Sequence, residues 1–270
     1  MIKLIKNISI FTLFIFLSFI NKAYAEEDYH QYSSKTGGNF TIRTWLGNNS
    51  VDQFISGDAT AFVNSKQSIT LLELNSNYWF GVINQEQLFE LGNLFGIGVN
   101  LAYGKNSYTN LQGTQGLNQE LVTYFLNFDF LKFAFLHDES MSKYLALFAN
   151  YTSYGNSLAS TMTLSGIGLG LDSQYNIGNI ADIFFKLNYI PFANSSKISN
   201  AWGANSELGF KWFINQKTAI NIGYKAIYYT GKSSGQLVSK DSENKDVTLN
   251  VNLKLQDIFH GITIGGTYYF

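Results

Sequence analysis

The sequence predicts an all-β fold: a closed, antiparallel, up-and-down β-barrel that crosses a membrane, with ten strands as the favoured count and twelve as the alternative. Three observations carry the prediction. Apolar and polar residues alternate over many consecutive segments, the period of a strand with two unlike faces. One proline stands against 24 glycines, 17 tyrosines and 23 phenylalanines in 270 residues, a mixture that leaves strand ladders uninterrupted and fills them with side chains suited to extended backbone. No stretch beyond residue 25 approaches eighteen consecutive apolar residues, so a membrane would be crossed by strands, which in closed form satisfy every backbone amide.

The amino-terminal segment stands apart. Lys3 and Lys6 precede an apolar stretch from Ile8 to Ile20, followed by Ala23-Tyr24-Ala25. That stretch is too short to span about 30 Å of hydrocarbon, and the small residues fit a signal peptide cut after Ala25. Residues 1–25 therefore read as a signal peptide, 26–38 as a short polar periplasmic lead-in, and 39–270 as the barrel. Cleavage removes three lysines and no acid from 18 basic and 19 acidic side chains, which leaves a net charge of −4. No basic footprint for nucleic acid remains. Cysteine is absent, so disulfides and cysteine-ligated metals are excluded from an exported chain.

The strands follow in order as approximately 39–47, 68–83, 90–104, 119–131, 143–154, 161–175, 182–192, 202–214, 218–230 and 260–270. Four of them count cleanly. Val122, Tyr124, Leu126, Phe128 and Phe130 face away from Thr123, Phe125, Asn127 and Asp129. Ile220, Ile222, Tyr224, Ala226 and Tyr228 oppose Asn221, Gly223, Lys225 and Ile227. Ile97, Val99, Leu101 and Tyr103 alternate with glycine, Asn100 and Ala102, and Ile167, Leu169 and Leu171 with glycines and Asp172. A face of Gly, Asn, Ala and single charges suits a crowded lumen, whereas a sheet facing bulk water would carry many Lys, Glu and Thr. Tyr78, Tyr103, Tyr175, Tyr189, Trp212 and Tyr268 fall near strand ends on the apolar face, where interfacial girdles belong. Connections 48–67, 105–118 and 231–259 read as long polar outer loops, and the others as mostly short turns.

One segment fits this parsing poorly. Residues 247–255 alternate on their own, with apolar residues at odd positions, whereas 262–270 carry them at even positions. The favoured reading makes 247–255 an extension of the last hairpin above the membrane, separated by a bulge or break between Asp257 and Gly261. A separate strand would give an odd count, which single-chain bacterial barrels avoid. In the twelve-strand alternative, a strand near Ala59–Val63 joins it.

The final residues run Thr263-Ile264-Gly265-Gly266-Thr267-Tyr268-Tyr269-Phe270. With Thr263, Gly265, Tyr268 and Phe270 so placed, they resemble the sorting signal by which the Bam insertase recognises bacterial outer-membrane barrels. By pattern over nearly the whole mature chain, the protein resembles small bacterial outer-membrane β-barrels of the surface-antigen or porin-like kind. The resemblance implies residence among outer-membrane lipid, assembly through Bam, a monomeric state, no cofactor, and contact with host or surface ligands through the three long loops.

Candidate chemistry is sparse. A barrel phospholipase would need His and Ser two apart on one strand so that base and nucleophile share a face. In His137-Asp138-Glu139-Ser140 they are three apart, in an expected periplasmic turn. An omptin-like protease would need paired aspartates and an Asp/His pair at the outer rim, and Asp257 with His260 is the only nearby couple. Gly166-Ile167-Gly168-Leu169-Gly170 lies within a strand and does not open a helix, so it is no phosphate loop. Glu73, Asp129 and Asp172 share the lumen face and could hold a cation or reflect polar packing.

The sharpest inference concerns the hairpin about Gln216. Both flanking strands face the lumen at odd positions, so a three-residue turn at 215–217 sets Glu207 opposite Lys225 and Lys211 opposite Asn221. Glu207, Lys211, Lys225 and Lys186 are expected to form a charged network across the lumen that joins strands and obstructs permeation. The leading functional expectation is a non-enzymatic barrel, structural or surface-exposed. A narrow channel for ions or small solutes is the alternative, and a lipid hydrolase or protease comes third.

Overall fold

A computed structural model describes residues 37–58, 60–80, 94–108, 119–137, 143–156, 162–177, 180–194, 199–240 and 246–270. The signal segment, Ala25 and the lead-in lie outside these, as do residues 109–118 of one expected loop. Ten strands form: β1 Gly37–Gly57, β2 Ala61–Phe80, β3 Leu94–Tyr108, β4 Gln119–His137, β5 Tyr144–Asn156, β6 Met162–Ile177, β7 Ala181–Asn194, β8 Ser199–Asn215, β9 Thr218–Lys240 and β10 Asp246–Tyr269. Each pairs antiparallel with its sequence neighbours, and β1 pairs with β10 to close the barrel. Reciprocal bonds between Gly38 and Phe270, 3.1 and 3.0 Å, extend the seam to the last residue. We call the rim that holds Gly37 and Phe270 proximal, and the opposite rim distal.

The alternation seen in the sequence sorts the side chains as expected. Ile97, Val99, Leu101, Leu208, Phe210, Ile222, Ile262 and Ile264 are exposed on the outer surface, and so are all six of the expected girdle aromatics. They make a continuous apolar belt around a ladder without an edge. Irregularities occur where the sequence forces or uses them. The lone proline, Pro191, lacks an N–H to donate and sits where the β7–β8 register shifts between Ile190 and Ala193. In β4 the register against β5 slips between Asp129 and Leu131, so Phe130 and Leu131 both face out while Lys132, which strict alternation would send outward, turns in and is buried.

Two expectations about the distal end need correction. The segments 48–67 and 231–259 are not long loops: β1 and β2 stay paired from Gly37↔Trp79 to Ile55↔Ala61, and β9 and β10 from Thr218↔Tyr268 to Lys240↔Asp246. No bulge separates Asp257 from Gly261, because β10 holds a single register against both neighbours throughout. Odd positions face inward along all of β10, and Val251 and Leu255 are buried inside, not turned outward. Residues 247–255 thus extend the last hairpin in an unbroken strand. Its alternation looked reversed because its apolar side chains are on the opposite face from those of 262–270.

Candidate functional site: the filled lumen

Three tiers occupy the barrel interior. The proximal tier joins Trp79, Ala134, Ala146 and Tyr144 to the Lys132–Asp172 ion pair of 2.5 Å, with the Lys132 ammonium 5.0 Å from the Trp79 ring centre. The Tyr144 hydroxyl donates to the other Asp172 oxygen at 3.1 Å. Beside this pair, Lys186 reaches from β7 to Asp129 on β4 at 2.6 Å. Lys211 on β8 donates to Gln174 Oε1 at 2.5 Å.

The middle tier is built around Arg43, the only arginine of the chain. Its Nε and Nη2 donate to the two Glu73 oxygens, each at 2.9 Å. Nη2 also donates to Glu207 Oε2 at 2.8 Å and Nη1 to Glu207 Oε1. Lys225 donates to Glu73 at 2.6 Å. A line of amides continues along the wall, Asn100 donating to Glu73 and Thr152 to Asn127 at 2.8 Å. Arg43 and Glu73 face each other across the β1–β2 ladder, but Arg43–Glu207, Lys225–Glu73 and Lys186–Asp129 join strands that are not neighbours, so they act as struts across the lumen. Fork geometry is what a guanidinium offers two carboxylates at once.

Gly265 lies opposite Arg43 on β10. A Cβ there would run into the Ile42 carbonyl and the Arg43 backbone, so this glycine lets the seam close beside the hub.

The distal tier is a plug of Trp45, Phe125, Tyr154, Tyr229 and Phe259, walled by Ile69, Leu71, Leu164, Ile190, Ile227 and Leu255. Tyr154 stacks on Tyr229 with centroids 4.9 Å apart and planes at 4°, and Phe125 meets Phe259 edge-on at 4.9 Å. Asp257 is enclosed in this tier, accepting from Asn49 at 2.5 Å and from the Tyr154 hydroxyl.

The structure places Glu207 directly opposite Lys225, and Lys211 opposite Asn221. The charged ends choose other partners. Glu207 is taken by Arg43, Lys225 by Glu73, Lys186 by Asp129 and Lys211 by Gln174, because side chains of ladder neighbours run parallel into the lumen while those from the facing wall meet them head-on. The two-residue turn at Gln216-Lys217 is reached through a register shift between Phe213 and Asn215, in place of the three-residue turn expected. Sequence reasoning missed Arg43 and Lys132. Arg43 carried a legible signal, its inward parity between Thr41 and Trp45. Lys132 carried none, because its orientation depends on the bulge.

Glu73, Asp129 and Asp172 each hold a cationic side chain, and no cluster of metal-ligating residues occurs among the described residues. Asp257 and His260 lie on opposite faces of the wall, Asp257 in the plug and His260 outside with the Tyr224 hydroxyl 2.9 Å from its Nδ1. They do not form a couple. The side chains of the His137–Ser140 segment, and His30, lie outside the described residues. Of the terminal pattern, Thr263 is buried facing inward, while Tyr268 and Phe270 are exposed.

The ten-strand closure and filled lumen can be set against known proteins. No protein family and no curated protein matches the sequence. Among solved structures, the outer membrane protease OmpT from Escherichia coli superposes with a TM-score of 0.56 at 10% identity, covering 87% of this chain and 97% of that one. The fold is that of outer-membrane barrels. The outer membrane protein OprG from Pseudomonas aeruginosa is similar at 16% identity over 88% of this chain and 98% of its own, with a TM-score of 0.37. At such identities the likeness concerns the fold alone.

Proposed function

We propose that this chain is a monomeric, non-enzymatic barrel of a bacterial outer membrane, delivered by the segment ending at Ala25 and inserted through its aromatic carboxy-terminal strand. The carrying observation is the apolar belt around an edgeless ladder whose interior is closed on two levels, by the Arg43 hub and by the aromatic plug. An outward apolar belt is expensive in water and favourable in lipid. A lumen crossed by struts supports a structural or surface-displaying role, with the proximal rim facing the periplasm and the hairpins of β1–β2 and β9–β10 reaching outward to meet surface or host molecules.

Two measurements test this reading. The refolded protein should migrate differently with and without boiling, and should give no steady current in planar bilayers. Water solubility without detergent, or steady openings from the parent protein, would overturn it. The narrow-channel reading draws on one observation, the small spaces of about 20 and 70 Å³ left between the polar side chains of the lumen. It would be favoured by openings whose ion selectivity changes in Lys225→Glu.

A further inference from the structure

The outer wall beyond the Tyr224–Ile262–Leu46 row carries two lysines that no neighbour neutralises. Lys254 on β10 and Lys232 on β9 are ladder partners on the outward face, and both are exposed. Like charges directly opposite each other on a ladder repel. Neither ammonium forms an ion pair among the described residues. Asp52, the outward acid of β1, faces Gln256 one row proximally and pairs with neither. Beside Lys254 stands Phe54, 39% exposed, with its ring centre 5.8 Å from the ammonium.

An aromatic strip lies on the proximal side of this pair. Trp202 on β8 faces Thr230, two residues before Lys232 on β9, and its ring centre is 5.1 Å from that of Tyr228. Tyr189 on β7 continues the strip, 6.0 Å from Trp202. Trp202 and Tyr189 are exposed, and Gln256 Nε2 donates to the Tyr228 hydroxyl at 2.9 Å. Below the strip come Tyr224, Ile222 and Ile262 of the belt. From the belt outward the surface is therefore apolar, then aromatic, then doubly cationic. A lipid of matching order has acyl chains, then a sugar, then a phosphate carried on that sugar. Aromatic rings offer flat apolar faces to the C–H side of a sugar, and paired ammonium groups suit a phosphate. A glycerophospholipid matches less well, because it brings no sugar to cover the strip.

We propose that this part of the wall binds a phosphorylated glycolipid of the outer leaflet. The phosphate accepts from Lys232 and Lys254, the sugar that carries it lies over Trp202 and Tyr228, and the acyl chains run down the belt. The site rests on the outer-membrane reading above, with the distal rim outward. It lies outside the lumen, so it works whether or not the barrel conducts.

The test is native mass spectrometry of the refolded full chain in detergent, on preparations that already show the heat-modifiable band, so that a negative result counts against this site and not against the barrel. The probes are lipid A bearing both phosphates, the same lipid A after dephosphorylation, and phosphatidylglycerol. Bisphosphorylated lipid A should be retained as one tightly held copy, and its dephosphorylated form about tenfold more weakly. Phosphatidylglycerol should also be held more weakly, for want of the sugar. Lys232→Gln combined with Lys254→Gln should weaken retention by about tenfold or more, whereas Lys217→Gln, in the proximal turn, should leave it unchanged. Should the double variant fail to give the heat-modifiable form, amine acetylation of the parent protein decides: lipid A should protect Lys232 and Lys254 but not Lys217. Retention indifferent to the phosphates, equal retention of phosphatidylglycerol, a folded double variant that binds as the parent does, or acetylation of Lys232 and Lys254 unchanged by lipid A would overturn the proposal.

Discussion

The β9–β10–β1 wall divides at the row formed by Tyr224, Ile262 and Leu46. On the proximal side of that row, apolar side chains face out and Arg43, Asn221 and Thr263 face in; on the distal side the same strands, in the same register, turn Asn48, Gln256, Lys254 and Asn252 outward and bury Phe259, Leu255 and Val251. The pleat does not change, only which parity is greasy. A strand places apolar residues wherever water is absent, and inside a barrel that is a choice between two sides of one wall. Where lipid covers the outside, the interior is relieved of supplying a hydrophobic core and is tied together by ion pairs. Where the wall rises into water, the core must return to the inside, and the aromatic plug is that core. The two regions make opposite demands on substitution.

The largest effect is expected at the hub. Arg43→Met leaves Glu73, fully buried, and Glu207 with one lysine between them. Uncompensated buried charge costs about 3–5 kcal/mol, which should appear as a lower urea midpoint for loss of the heat-modifiable band. Arg43→Met combined with Glu73→Gln should recover part of that loss, since fewer charges are then stranded. Phe259→Ala, in the plug, should cost about 3 kcal/mol through the cavity it leaves, but by a different route, so the pair Arg43→Met and Phe259→Ala should be additive. In planar bilayers each single variant should remain closed, because the other level still obstructs the lumen, whereas the double variant should conduct. Current from Phe259→Ala alone would show that the charged tier is no barrier.

These expectations depend on features that the sequence revealed unequally. The belt was legible because lipid imposes one rule on every outward position, so alternation could be counted at 122–130 and 220–228 without knowing any partner. The Glu207–Lys225 register was legible because a short turn between strands of known parity leaves few choices. Arg43–Glu73 would have followed from the same arithmetic had the turn that fixes it not lain within a segment read as a loop. Polarity was the cause: the outer faces of 48–52 and 66–68 carry Asn48, Ser50, Asp52, Lys66 and Ser68, so a rule tuned to lipid-facing strands rejected them. The same rule made 247–255 look out of phase with its own continuation. Pairing of charges across the lumen was not legible at all, because it depends on which walls face each other once the barrel has closed.

The boundary between the regions can be located by charge. Ile264→Lys places an ammonium in the belt and should cost about 2–4 kcal/mol, while Ile258→Lys, six residues along the same outward face, should cost no more than about 1 kcal/mol. Equal penalties would mean that lipid reaches well beyond the Tyr224–Ile262–Leu46 row, and that the inward turn of the greasy residues has another cause. Gly265→Ala tests the seam at the hub: with backbone of β1 in the way of a Cβ, overpacking of about 1–3 kcal/mol is expected, together with a lower refolded yield than Gly235→Ala, whose Cβ would meet nothing within 4 Å.

The smallest effect separates the two interiors by the same chemical change. Glu73→Gln removes a carboxylate that Arg43 and Lys225 both grip, and should destabilise because the cations lose their counter-charge. Asp257→Asn removes a carboxylate that sits among Tyr154, Tyr229 and Phe259 with only Asn49 and the Tyr154 hydroxyl donating to it, and no cation within 4 Å among the described residues. The amide keeps the size and one acceptor oxygen, and it no longer requires an anion to be held in an apolar tier. Asp257→Asn should therefore change stability by no more than about 1 kcal/mol, in the stabilising direction. A large loss at Asp257 would mean that the plug depends on that charge, and that the distal tier is a second polar network and not the hydrophobic core of the part of the barrel that stands in water.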